Sequence, residues 1–222
     1  SLPICATTSQ VAFSIATGLL NIKGDMKLSS TGHNCFGTWT NGAKIVFSGT
    51  GNQGFSNLST NAIFENIEVD KLSGTLSTSS NLRFGSFVLT NGNFTVGAGD
   101  EIQGISGTSV ININGGTWTQ TSSTTRLYNA ALGNTSPVGA VTINSGTMIL
   151  STTTGTGGFQ FSSLNIINGG VLTLLPFGSG GLINIGTSIH VDATSTFNTA
   201  LPVTLLPPLV TFSGVVNYNN MG

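Results

Sequence analysis

The chain has 222 residues, of which Lys and Arg supply 6, Asp and Glu 7, and Gly, Thr, Ser and Asn together about half. A net charge of −1 with no basic cluster excludes the multiple phosphate contacts that drive nucleic-acid binding, and no run of 18 or more apolar residues is present to span a bilayer as a helix. Thirteen Phe and many β-branched residues argue against disorder, which goes with few such residues and much charge. Strong helix formers are scarce, while Thr, Val, Ile and Phe suit strands and Gly, Asn and Ser suit turns. An all-β chain is expected.

Residues 1–20 are expected to form an N-terminal cap. Ser1-Leu2-Pro3 lacks a basic n-region and an apolar h-region, so the start reads as a mature terminus or a boundary within something longer. Cys5 and Cys35 have no CxxC spacing and no His cluster around them, which makes a poor metal site. One disulfide closing this segment is the expected pairing, worth roughly 3–4 kcal/mol on the loop-entropy model. It would place the chain in an oxidising compartment. Two free buried thiols are the alternative. His33 has no supporting ligands nearby.

From residue 21 to residue 222 the pattern is that of stacked strands. The segments 21–28, 43–53, 62–71 and 82–97 alternate apolar and polar residues. A clearer phrase follows: a strand, a tight Asn/Gly/Ser turn and a second strand. It reads Phe87-Val88-Leu89-Thr90-Asn91-Gly92-Asn93-Phe94, then Ile111-Asn112-Ile113-Asn114-Gly115-Gly116-Thr117-Trp118. It returns at Val141–Met148 and at Ile166–Leu172, with a weaker copy at Ile189–Phe197. Taking Gly92, Gly116, Gly146 and Gly170 as equivalent, the steps are 24, 30 and 24 residues.

Periods of this size indicate a repeat architecture, and with period-2 strands the physical solution is a parallel β-solenoid. Each strand pairs with its equivalent about 4.8 Å away in the next coil. Phe94, Trp118, Met148 and Leu172 are expected to stack in one internal column, and Leu89, Ile113, Ile143 and Ile167 in a second. The longer step is assigned to residues looped out at Leu132–Pro137. About nine coils would give a rod on the order of 40–45 Å. A β-sandwich, the alternative, also has many short strands but does not predict equivalent turns with matching parity. The last segment, Val210–Tyr218, alternates like a strand pair, and a further stretch of chain or a neighbour is expected to complete it.

Asn21–Leu28, Ala43–Gln53, Ala62–Lys71 and Leu82–Gly97 carry a resemblance. Together they are similar to the β-helical repeat regions of large secreted surface proteins of Bacteroidota, and more loosely to the passenger regions of haemagglutinin-type adhesins. The likeness covers residues 20–175 and is a style of repeat, not a sharp motif. It implies export to the cell surface, a right-handed β-helix, and a role in adhesion or surface structure. The C-terminal sorting domain usual in such proteins is missing from this sequence.

The competing class is an enzyme acting on polysaccharide, or a polysaccharide-binding module. Such catalysis needs paired carboxylates, or carboxylates holding Ca²⁺ beside a basic residue. Glu65, Glu68, Asp70 and Lys71 form the one acidic cluster; Glu68 and Asp70 are expected on one face, with Glu65 and Lys71 pointing the other way. The bland reading, a solvated outer face, is preferred. Asp100-Glu101 reads as a turn. Asp25 between Lys23 and Lys27 reads as a surface charge pair. Asp192 beside His190 is too isolated for a triad, and Arg83 and Arg126 stand alone. Trp39 is the one candidate for glycan stacking, since parity sends Trp118 inward.

Ice binding, which asks for a flat face of regular Thr rows, is disfavoured. The Thr-rich stretches 121–125 and 151–156 are clusters and not one Thr-X-Thr per coil, and uneven steps would spoil a lattice. The sequence therefore reads as a non-catalytic extracellular solenoid with no catalytic residue, no metal and no cofactor. Its expected partners are another copy stacked head to tail, the remainder of a larger surface protein, or surface glycans.

Overall fold

The computed structural model describes residues 2–4, 18–28, 43–57, 63–122, 124–133, 135–151, 158–176, 183–200 and 207–218. Among them there are nineteen strands, from Leu2–Ile4 to Val215–Tyr218, and no helix. Every pairing in register is parallel and joins one coil to the next. The chain is a parallel β-solenoid.

Three runs of strand recur around each coil. The first carries two inward columns. One passes through Leu20, Ile45, Ile67, Phe87, Ile111, Val141, Leu164, Ile189 and Val210. The other passes through Ile22, Phe47, Val69, Leu89, Ile113, Ile143, Ile166, Val191 and Phe212. Nine layers at about 4.8 Å give a stack on the order of 40 Å. On the second face Leu76, Phe94, Trp118, Met148, Leu172, Phe197 and Val216 are aligned. On the third face Leu82, Ile102, Leu127, Phe159 and Ile183 are aligned. Short of the last layer, where Phe212 and Val216 are exposed, these columns meet in one apolar core, each fully buried large side chain contributing about 1.5–3 kcal/mol.

The expected column of Phe94, Trp118, Met148 and Leu172 is present, but Ile167 is corrected. Ile143 pairs with Ile166, not Ile167; Ile166 is fully buried and Ile167 only half-buried. The reason is a corner one residue longer, in which Asn168 and Gly169 both take positive φ. The other corners run tight. At Gly116, with φ 68°, a Cβ would lie 2.0 Å from the Gly92 carbonyl oxygen one layer away, so the backbones touch where a side chain has no room. The carbonyls of Gly116, Gly146 and Gly170 each accept from the next layer, from Thr147, Val171 and Thr196 N–H respectively.

The long step is taken up between the strands Arg126–Asn129 and Val138–Asn144, where Leu132 stands out in solvent. This lies at the passage from the third face to the first. The second face is untouched by it and keeps an unbroken register from Asn93 to Tyr218. Its outward side carries two rows. One is Thr75, Asn93, Thr117, Thr147, Val171, Thr196 and Val215; the other is Ser77, Thr95, Thr119, Ile149, Thr173, Asn198 and Asn217.

In the expected cap segment, Leu2–Ile4 pairs with Met26–Leu28 and Leu19–Ile22 with Lys44–Phe47, so both belong to the ladder. Cys5 and Cys35, with the disulfide expected between them, lie outside the described residues, as do His33 and Trp39.

Candidate functional site

Polar side chains of this solenoid are used mostly to tie one layer to the next. Glu68 faces out from the first face and accepts from Lys44 Nζ at 2.5 Å and from Thr90 Oγ1 at 2.7 Å, its neighbours in the coils before and after. Burial alone would raise the Glu68 pKa, but the Lys44 and Thr90 bonds outweigh it and hold the carboxyl below its ordinary range. Asp70 accepts from Asn91 Nδ2 at 2.8 Å. Asp25 accepts from Gly54 N–H at 2.8 Å, so it anchors the next coil's backbone where a charge pair with Lys23 or Lys27 was expected.

The acidic cluster is corrected at its ends. Glu65 is exposed, whereas Lys71 is fully buried, so the two do not share a face. Lys71 Nζ donates to Gly49 O at 2.6 Å, Gly51 O at 2.8 Å and Gln53 Oε1 at 2.6 Å. Gln53 Nε2 in turn donates to Ile22 O and Gly24 O. The alternation Ile67, Val69, Lys71 carries Lys71 inward, over carbonyls of the previous corner, although the pairing shifts register twice between Val69 and Thr75.

Asp100-Glu101 is also corrected. Asp100 is buried, accepts from Thr78 Oγ1 at 3.0 Å, and burial raises its pKa. Glu101 opens the strand Glu101–Gly104 on the third face. There the ladder brings Asn81, Glu101 and Arg126 into one outward row and Arg83, Gln103 and Tyr128 into the next. Arg126, read as solitary in the sequence, thus stands beside the Glu101 carboxylate, and Arg83 stands in register with Gln103. Glu101 Oε2 accepts from Tyr128 OH and from Gln103 Nε2, both at 2.8 Å, and Arg126 Nη1 lies 3.5 Å from Oε1. Burial, with the Glu101 carboxylate beside it, pushes the Tyr128 phenol up to about 12. Only a three-dimensional register links residues 20 and 25 positions apart, which is why sequence spacing missed this group. Its carboxylate is occupied by donors, which suits a brace and leaves no ready general acid or base.

Asp192 braces a corner. Its carboxylate accepts from Ser195 Oγ and Asn168 N–H, both at 2.6 Å, and from Thr194 N–H and Oγ1, both at 3.0 Å. The Ser195 and Asn168 bonds lead in lowering its pKa to about 2. Ser195 donates to the carboxylate directly, so no histidine stands between them as in a hydrolytic triad; His190 faces out from the first face. The stabilisation from Asp192 is complete above the unfolded value near 3.9 and is lost as pH falls through about 2. Asp192→Asn is expected to melt lower than the parent at pH 7, the gap closing between about pH 4 and pH 2. Circular-dichroism melts across that range check it.

Among the described residues no three or more His, Cys, Asp or Glu converge as metal ligands, and no helix is long and apolar enough to cross a membrane. Comparison with protein-family models, with curated proteins and with solved structures found no match.

Proposed function

We propose that this chain is a non-catalytic extracellular solenoid segment, part of a cell-surface adhesin, stalk or fibre. Its work is mechanical: a stiff rod holding other parts at a distance. The observation that carries the reading is the unbroken first-face ladder from Leu19–Ile22 to Leu209–Phe212, together with carboxylates that already bridge layers. The resemblance to Bacteroidota surface proteins supports secretion and display. The Cys5–Cys35 disulfide would lock the first coils in that setting, and Trp39 remains the proposed glycan contact.

The last layer favours association through the end of the stack. Leu209, Phe212, Val215 and Val216 are exposed there, on strands that among the described residues have a partner on one side only, and such an edge invites a further strand. The proposed occupant is a further parallel coil, from a second copy or from the remainder of a larger surface protein. Imaging of the purified chain should show straight rods and no cleavage should appear when it is incubated with acidic and neutral polysaccharides and Ca²⁺. Depolymerisation that disappears in Glu68→Gln or Glu101→Gln would replace this reading with the enzymatic one.

A further inference from the structure

The outward side of the second face differs from the rest of the surface. The first face carries Lys44, Glu68 and His190, and the third carries Arg83, Glu101 and Arg126. The two rows beginning at Thr75 and Ser77 hold no charged residue over seven layers. They fall in line without a register shift from Asn93 onward. Both objections raised by the sequence therefore lapse. The Thr clusters at 121–125 and 151–156 are not the residues that form the rows, and the 30-residue step is absorbed on another side of the coil.

We propose that this face binds the surface of ice. The argument is geometric and chemical. In a tetrahedral water network with O···O near 2.75 Å, waters sharing a neighbour lie about 4.5 Å apart, and the network repeats about 7.3 Å along its stacking axis. The rows offer about 4.8 Å between layers and about 6.7 Å between outward residues of one strand. The mismatch of about 0.3 Å per layer stays within hydrogen-bond tolerance over patches of two or three layers, which is the extent over which the match holds. Among the described residues the hydroxyls of Thr95, Thr117, Thr119 and Thr147 make no hydrogen bond to the protein, unlike Thr78, Thr90 and Thr187, which are committed to neighbouring coils. Each Thr adds a methyl group that fills the space between anchored waters, and β-branching fixes its rotamer in advance. Behind the rows Phe94, Trp118, Met148 and Leu172 form a packed floor, so little freedom is lost on binding. A charged polymer finds no partner on such a face; a neutral, rigid hydroxyl lattice does.

The test is partition of the purified chain into slowly grown ice, with thermal hysteresis measured at equal concentration. The parent chain should enter the ice and show hysteresis. Thr119→Lys, placing a charge in mid-lattice, should reduce both at least roughly tenfold, because that charge is desolvated without a partner. Its melting curve should be unchanged. Thr173→Lys serves the same purpose if Thr119→Lys does not fold. Thr142→Lys, outward on the first face, should bind ice as the parent does. Exclusion of the parent from ice would overturn the proposal, as would equal losses in Thr119→Lys and Thr142→Lys. Adsorption to crystalline cellulose or chitin without ice affinity, or self-association abolished by Thr119→Lys, would assign the face to a different occupant and overturn it equally.

Discussion

Replacing Lys71 by Met is expected to destabilise the fold by about 3–5 kcal/mol: three buried neutral acceptors lose their donor at about 1–3 kcal/mol each, offset in part because a desolvated charge is no longer buried. Met fills nearly the same volume, so little of the loss comes from packing. It comes from Gly49 O, Gly51 O and Gln53 Oε1, which lose their donor together. Gln53 cannot turn to compensate, since its amide group is held by Ile22 O and Gly24 O. The side chain thus ties its own corner to the corner of the coil before, and through Gln53 to the one before that. Burial holds the Lys71 ammonium below its ordinary range. Its contribution is therefore greatest above pH 10.5 and declines as pH falls through the lowered folded value. Lys71→Met should lack that alkaline slope. Denaturant melts at pH 7 and pH 10 measure both effects; a loss under about 1 kcal/mol would show the carbonyls to be satisfied in some other way.

Lys71 also marks where sequence reasoning stops. Parity along a strand is a reliable guide while the strand is regular, and it placed Phe94, Trp118, Met148 and Leu172 in one column. The same parity set Lys71 opposite Glu68 and Asp70, and it does lie there, on the side of Ile67 and Val69. Parity failed at Glu65, where alternation breaks between Phe64 and Ile67, and the reading of the whole cluster as a solvated face failed at Lys71. Ile167 was misplaced for a related cause: the corner at Asn168 and Gly169 is one residue longer than the three before it, which follow Leu89, Ile113 and Ile143. The Gly-Gly or Ser-Gly turn signals where a corner lies but not how many residues it holds. The polar groupings were illegible for a different reason. Glu101 meets Arg126 and Tyr128 only because the coils between them have particular lengths. Each corner and loop adds its own uncertainty to a sum that must be known to one residue. The outward Thr rows were hidden in the same way, spread one or two to a coil beneath denser Thr clusters that belong to other parts of the coil.

Trp118→Ala is expected to cost about 3–5 kcal/mol, the usual range for emptying a large aromatic from a close-packed core. Trp118 is fully buried and lies 4.6 Å from Phe94 and 4.8 Å from Phe87 between ring centroids. These edge-on contacts join the first and second faces at the middle of the stack. The indole N–H donates to Gln120 Oε1 at 3.2 Å, and Gln120 Nε2 bonds Thr125 Oγ1 and Arg126 O. Truncation therefore leaves a cavity and an unpaired buried oxygen at once. In a stack where each coil contacts chiefly its neighbours, stability is a sum of layer and interface terms. A mid-stack cavity weakens the coupling between the two ends as well as the total. The parent should unfold in a single transition and Trp118→Ala in two, the earlier one lower in denaturant. Trp118→Phe, which keeps an aromatic ring in the column, should lose much less and retain a single transition. Equal behaviour of the two variants would mean that the column does not carry the coupling assigned to it.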